Sequence, residues 1–202
     1  MHASTSASPR RFSWRVVDIV VASAIAIVCG VIFWGWNIGY EVPGGALEAV
    51  VPGLSGLLAG PWLLAAVLGG IVIRKPGAAL YVEVVAATFS MLIGAKWGVD
   101  TLLSGILQGL GAELVFAIFL YRRFGILVSM LAGAAAAALE IPHQLIVWYA
   151  DATIEWKLLY SAGMLVSGAI VAGAGGWAIA RGLAATGALR RFAAGRERVA
   201  DV

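Results

Sequence analysis

Charge is scarce in this chain: Lys, Arg, Asp and Glu supply 12% of its 202 residues, about half the share found in soluble domains. There is one cysteine, Cys29, so no intrachain disulfide can form, and its apolar surroundings mark it as a small buried side chain. Histidine occurs twice, at His2 and His143, and neither belongs to a metal-ligand spacing. No Gly-rich loop runs into Lys-Ser/Thr, which excludes ATP binding by that route, and no motif calls for a cofactor. The net charge of +3 is dispersed over the ends of apolar segments. That distribution argues for a lipid membrane as partner and against nucleic acid.

What the chain has in abundance is apolar surface, with 61% hydrophobic residues and a mean hydropathy of +0.94. Runs near the ~20 residues needed to cross a bilayer occupy 16–36, 54–73, 77–95, 100–121, 125–149 and 157–181. The first run follows a basic start, but it is longer than a signal-peptide core of about 7–15 residues and ends in "FWGWN" without a small-residue cleavage site, so it is read as a helix. The expectation is an all-α integral membrane protein with one six-helix domain over 14–182, a mobile tail at 1–13 and a basic tail at 183–202. Twelve Lys and Arg fall on the side of both termini and two, Lys96 and Lys157, on the other. That bias places both termini in the cytoplasm. The longest connection, 37–53, mixes Gly, Pro and apolar residues and is expected to be a loop that acts as a lid.

Ionisable groups inside apolar spans are costly and mark functional sites by default. Here they are Glu83, Glu113, Glu140 and His143. In "ALEIPHQLIVWYAD" (138–151), helical spacing sets Glu140, Gln144 and Trp148 on one stripe with His143 beside it, while Pro142 removes a backbone donor and frees the Ala138 carbonyl. Such a face suits recognition of a ligand, and it would equally serve as interhelical glue. Glu83 lies on a stripe of small residues, Ala79, Ala87, Ser90 and Gly94, and Gln108 shares its face with Ser104 and Thr101. Glu113 points elsewhere and reads either as a supporting group or as the partner of a buried donor, Arg74 or Lys75. Small residues recur every four positions at Ala22, Ala26 and Gly30, which permits close helix approach within the chain or with another membrane protein. "GLSG" (53–56) matches the short serine motif of six-helix intramembrane proteases, with Ser55 as nucleophile and His143 as its base.

Several stretches resemble the YkoE family, substrate-binding (S) components of energy-coupling factor vitamin transporters: "IRKPGAAL" (73–80) followed by Glu83, "GILQGLGAELVF" (105–116), "SGAIVAG" (167–173) and "LAATGAL" (183–189). The resemblance implies an S-component-like bundle that binds thiamine or its hydroxymethylpyrimidine precursor from outside, beside a transmembrane coupling (T) subunit and separate ATPase subunits. It implies no enzymatic activity, and it makes Ala22, Ala26 and Gly30 a docking face for the coupling subunit. Glu83, Gln108 and Glu113 fall within the matching blocks, whereas Glu140 and His143 lie outside them. The expected ligand contacts are Glu83, Gln108, Glu140, His143 and Gln144, with Trp34, Trp36, Asn37, Trp97 and Trp148 around them and Glu48 and Glu113 in support. Carboxylates and amides would meet the edge of an aminopyrimidine, and indoles would stack on its face or hold a cationic ring.

Overall fold

The computed structural model describes residues 12–190, 192, 194 and 195. The expected tail at 1–13 therefore lies almost entirely outside the described residues, as do 191, 193 and 196–202 of the other tail. Among the described residues all regular structure is helical: α1 (Val16–Gly39), α2 (Glu41–Val50), α3 (Leu64–Ile73), α4 (Ala78–Leu92), α5 (Asp100–Ile118), α6 (Ile126–Val147) and α7 (Ile154–Ala185). Four of these, α1, α5, α6 and α7, are long and apolar enough to cross a membrane, while Gly60–Ile73 and α4 are shorter apolar helices.

The shortness of α3 corrects the uniform helix expected over 54–73. Leu54–Leu58 and Gly60–Leu63 are 3₁₀ turns, and the α-helix starts only at Leu64. Pro61 has no N–H to give a helical ladder, and Ser167 on α7 takes over part of the pairing, accepting from Gly60 N–H (2.9 Å) and donating to the Leu57 carbonyl (2.6 Å). From Ala65 to Ile73 every residue of α3 is buried, so this short helix is the axle of the bundle. It packs against α1, α4, α5, α6 and α7, and α5 lies between α4 and α6. Closeness comes from small residues: a Cβ on Gly133 would lie 2.0 Å from the Gly168 carbonyl oxygen, so α6 and α7 touch backbone to backbone. Around that contact α7 is π-helical, from Gly168 to Gly175.

Three further expectations are corrected. The connection 37–53 is mostly helix: α1 runs to Gly39 and α2 follows after Tyr40, with Pro43 in its first turn, where a missing N–H costs no helical bond. The basic tail expected from 183 begins as helix, continuing α7 to Ala185, and Leu189 and Phe192 are then buried against the bundle, so the packed domain extends past the expected boundary at 182. Ala22 and Ala26, each 0% exposed, and Gly30 form no docking face: all three are buried inside the protein, Gly30 against α4, where a Cβ would lie 2.8 Å from the Ala86 carbonyl oxygen.

The bundle has two unlike ends. At the basic end Asp18 is fully buried and paired with Arg15 (2.7 Å) and Lys75, tying the start of α1 to the turn between α3 and α4. Glu113, from α5, accepts the N–H groups of Gly77 (2.6 Å), Ala79 (2.9 Å) and Leu80 (3.4 Å) and the Tyr121 hydroxyl (2.6 Å). It therefore caps α4 from another helix, meeting the unpaired donors that every helix start presents. Burial and the neighbouring Glu113 charge push the Tyr121 hydroxyl's pKa up, which keeps it a donor.

Candidate functional site

At the opposite end the helices part around a cavity of about 410 Å³, within the size range of small-molecule sites. Its aromatic wall is built from Tyr40, at the α1–α2 junction, Trp62, in the 3₁₀ turn before α3, and Trp97, in the α4–α5 connection. Trp62 meets both others edge to face, with ring centroids 5.0 Å from Tyr40 and 5.4 Å from Trp97. The indole N–H of Trp62 donates to Asn37 Oδ1 (2.7 Å), which fixes its plane. On the far side stand Trp148, Tyr149 and Tyr160, the last stacked on Trp156 at 4.7 Å.

The polar floor starts from Glu83, fully buried on α4. One carboxylate oxygen accepts the Ala66 N–H (2.6 Å), capping α3 as Glu113 caps α4. With its amide nitrogen turned inward, Gln108 on α5 donates to the other oxygen (3.2 Å) and to the Trp62 carbonyl (3.0 Å). Higher on the same wall, Ser90 and Thr101 line the cavity and their hydroxyls have no hydrogen-bond partner. Buried unpaired hydroxyls are rare because each costs about 1–3 kcal/mol. Here both belong to residues that line the same cavity.

A charged strut supports the rim. His143 places Nδ1 against Glu140 Oε1 (3.1 Å) and Nε2 against Asp100 Oδ1 (3.1 Å), and Asp100 also accepts the Trp148 indole N–H (2.8 Å). Glu140 Oε1 accepts from the Gln144 amide as well (2.7 Å), and Gln144 lines the cavity. At the mouth Lys96 donates to the Tyr40 hydroxyl (2.9 Å) and pairs with Glu41 (3.0 Å). Partial burial opposes its charge, but these two partners outweigh that and raise its pKa above 10.5, so it is cationic at neutral pH.

The residues expected at the site thus separate into groups. Glu83, Gln108, Asn37, Gln144, Trp97 and Trp148 line the cavity. Glu140 and His143 stand behind the lining and hold Gln144 and Asp100 in place. Trp36 is behind Trp62, donating to the Leu58 carbonyl (3.0 Å). Trp34 is not among the lining residues and is 38% exposed, since Phe33 and Asn37, four residues apart, share the inward stripe of α1 and Trp34 lies one residue, about 100°, round from it. Glu113 is at the other end of the bundle. Glu48 fastens the segment before α3, accepting from Gly53 N–H (2.9 Å), the Trp156 indole (2.8 Å) and Ser55. The expected protease pair is absent: the Ser55 hydroxyl is bound to Glu48 and both His143 nitrogens face carboxylates, so neither nitrogen is free to take a proton from Ser55. Sequence reading missed Trp62, Tyr40, Asp100, Ser90 and Thr101. Of these Ser90 and Thr101 were visible only as small neighbours on the faces of Glu83 and Gln108, and Asp100, a charge at a helix start among aromatics, carried a local signal of its own.

An all-helical bundle of apolar helices with an aromatic, hydrogen-bonding cavity at one end is the form of a membrane-embedded substrate-binding subunit. Comparison with known proteins agrees. A crystal structure described as an S-component of an ECF transporter matches with a TM-score of 0.86 and 34% identity, over 94% of this chain and 95% of that one. The "Putative HMP/thiamine permease protein YkoE" of Bacillus subtilis (strain 168) is 35% identical over 191 residues, 92% of each protein. Residues 17–139 match the family described as "ABC-type cobalt transport system, permease component". The chain belongs to the YkoE family of S components: it is a multi-pass plasma-membrane protein, the substrate-binding subunit of an ECF transporter, and not an enzyme.

Proposed function

We propose that the cavity captures hydroxymethylpyrimidine or thiamine on the outer side of the membrane and that this subunit passes it to a transmembrane coupling subunit driven by separate ATPases. The observation that carries this reading is the pairing of an aromatic wall with the unpartnered Ser90 and Thr101 hydroxyls. An aminopyrimidine offers N–H donors and ring-nitrogen acceptors around its edge and a π face on each side. Hydroxyls and amides, from Ser90, Thr101, Asn37, Gln144 and Gln108, answer either kind of edge group, while Trp62, Trp97 and Trp148 enclose the ring. Glu83 supports the floor, and Glu140 and His143 orient the rim. The relative named as an HMP/thiamine permease favours the same ligand class. The basic residues support an outward-facing cavity: Arg15, Arg74, Lys75, Arg122, Arg123 and Arg181 all lie toward the other end, as expected of a cytoplasmic side.

A cobalt cargo is the second reading, prompted by the description of the matching family. Among the described residues no group of three or more His, Cys, Asp or Glu is placed to hold a metal ion, which favours the organic ligand. Thermal unfolding of the purified protein in detergent tests both. Hydroxymethylpyrimidine or thiamine should raise the midpoint by mass action, and Co²⁺ should not. Stabilisation by Co²⁺ alone would reverse the assignment.

A further inference from the structure

The Lys96 ammonium stands 4.6 Å from the ring centroid of Tyr40 and 4.9 Å from that of Trp97, inside the ~6 Å range in which an aromatic face attracts a cation. Both rings belong to the cavity wall, and Lys96 itself lines the cavity. The protein therefore places its own cation where a cationic ligand ring would be held. We propose that Lys96 is an internal competitor for these cation-accepting rings and sets the cavity's selectivity between a cationic and a neutral ligand. The proposal rests on the reading of the cavity as a hydroxymethylpyrimidine or thiamine site.

A neutral pyrimidine can enter beneath Trp62 and Trp97 while Lys96 keeps Tyr40, Trp97 and Glu41. A ligand with a permanently charged thiazolium ring meets a like charge at the mouth and must either displace the ammonium from Tyr40 and Trp97 or leave those faces unused. Other charges at the rim do not cancel this. Glu41 is engaged by Lys96 itself, and Asp100 is engaged by His143 and Trp148. Lys96 is exposed and its side chain is anchored through its tip, so moving the ammonium needs no repacking of the core.

The test is a pair of titrations on the purified full chain, thiamine and hydroxymethylpyrimidine, followed by intrinsic tryptophan fluorescence. Lys96→Met should raise the thiamine-to-hydroxymethylpyrimidine affinity ratio by about three- to tenfold, the size of one cation–π contact. Lys96→Arg, which retains a cation, should keep the ratio low. Equal shifts for both compounds in Lys96→Met would make Lys96 a simple latch and overturn the proposal, as would a lower ratio. Wild-type protein that binds neither compound overturns the ligand reading itself, and the selectivity proposal with it.

Discussion

The two ends of the bundle treat buried polarity in opposite ways. At the basic end Asp18 and Glu113 are saturated: every carboxylate oxygen there has a partner, and each group joins elements distant in sequence. At the cavity end Glu83 caps a helix by the same logic, yet the hydroxyls of the lining residues Ser90 and Thr101 are left without partners. Polar groups that hold a fold are closed circuits. Groups that await a ligand are open ones, and their cost is recovered only on binding.

The largest effect that would probe this contrast is at the closed end. Glu113→Ala leaves three backbone donors and the Tyr121 hydroxyl unmatched, and it should destabilise the protein by about 3 kcal/mol. The check is the unfolding midpoint in detergent, with ligand affinity of the folded fraction preserved. At the open end, Trp97→Ala should weaken hydroxymethylpyrimidine binding by about 2 kcal/mol, roughly 30-fold in Kd, with a much smaller change in midpoint. Ser90→Ala sharpens the comparison further. It should cost about 1 kcal/mol of binding while leaving stability equal or slightly higher, because an unpaired buried hydroxyl is removed. A marked loss of stability in Ser90→Ala would mean that its hydroxyl is structural.

The smallest effect is one of pH. Burial alone would raise the Glu48 carboxyl, but donors from Ser55, Gly53 and Trp156 outweigh it and hold its pKa below the ordinary 4.5. A depressed folded-state pKa contributes stability that is complete above the unfolded value and disappears as pH falls through the folded one. The unfolding midpoint should therefore decline on acidification below about pH 4.5 less steeply in Glu48→Gln than in the wild type. Identical slopes would remove Glu48 from the account.

Much of this was legible in the sequence because lipid imposes a one-dimensional rule: apolar runs mark the helices. The matching blocks led to Glu83 and Gln108, and the stripe at Glu140 led to Gln144 and Trp148. The rest depends on which helices meet. The spacing of Ala22, Ala26 and Gly30 fits packing within the chain as well as docking to another protein, and only the packing of the helices shows these residues buried. Trp62 is hidden within an apolar run, where hydropathy counts it as core. Ser90 and Thr101 matter only because no neighbour reaches them, and a missing neighbour leaves no trace along the chain. Asp18 carries no local sign of its role, because its partner Lys75 is 57 residues away.

The π-helical stretch in α7 sets a phase. An α-helix turns about 100° per residue, and a wider π segment carries extra chain within the same turn. It thereby fixes the azimuth at which Trp177 and Arg181, toward the basic end, stand relative to Tyr160 and Met164 at the cavity. Deleting one residue between Gly168 and Gly175 would shorten the chain hardly at all. It would rotate one half of the helix against the other, so that a single side chain's worth of sequence decides whether the two ends of the protein face the same neighbours.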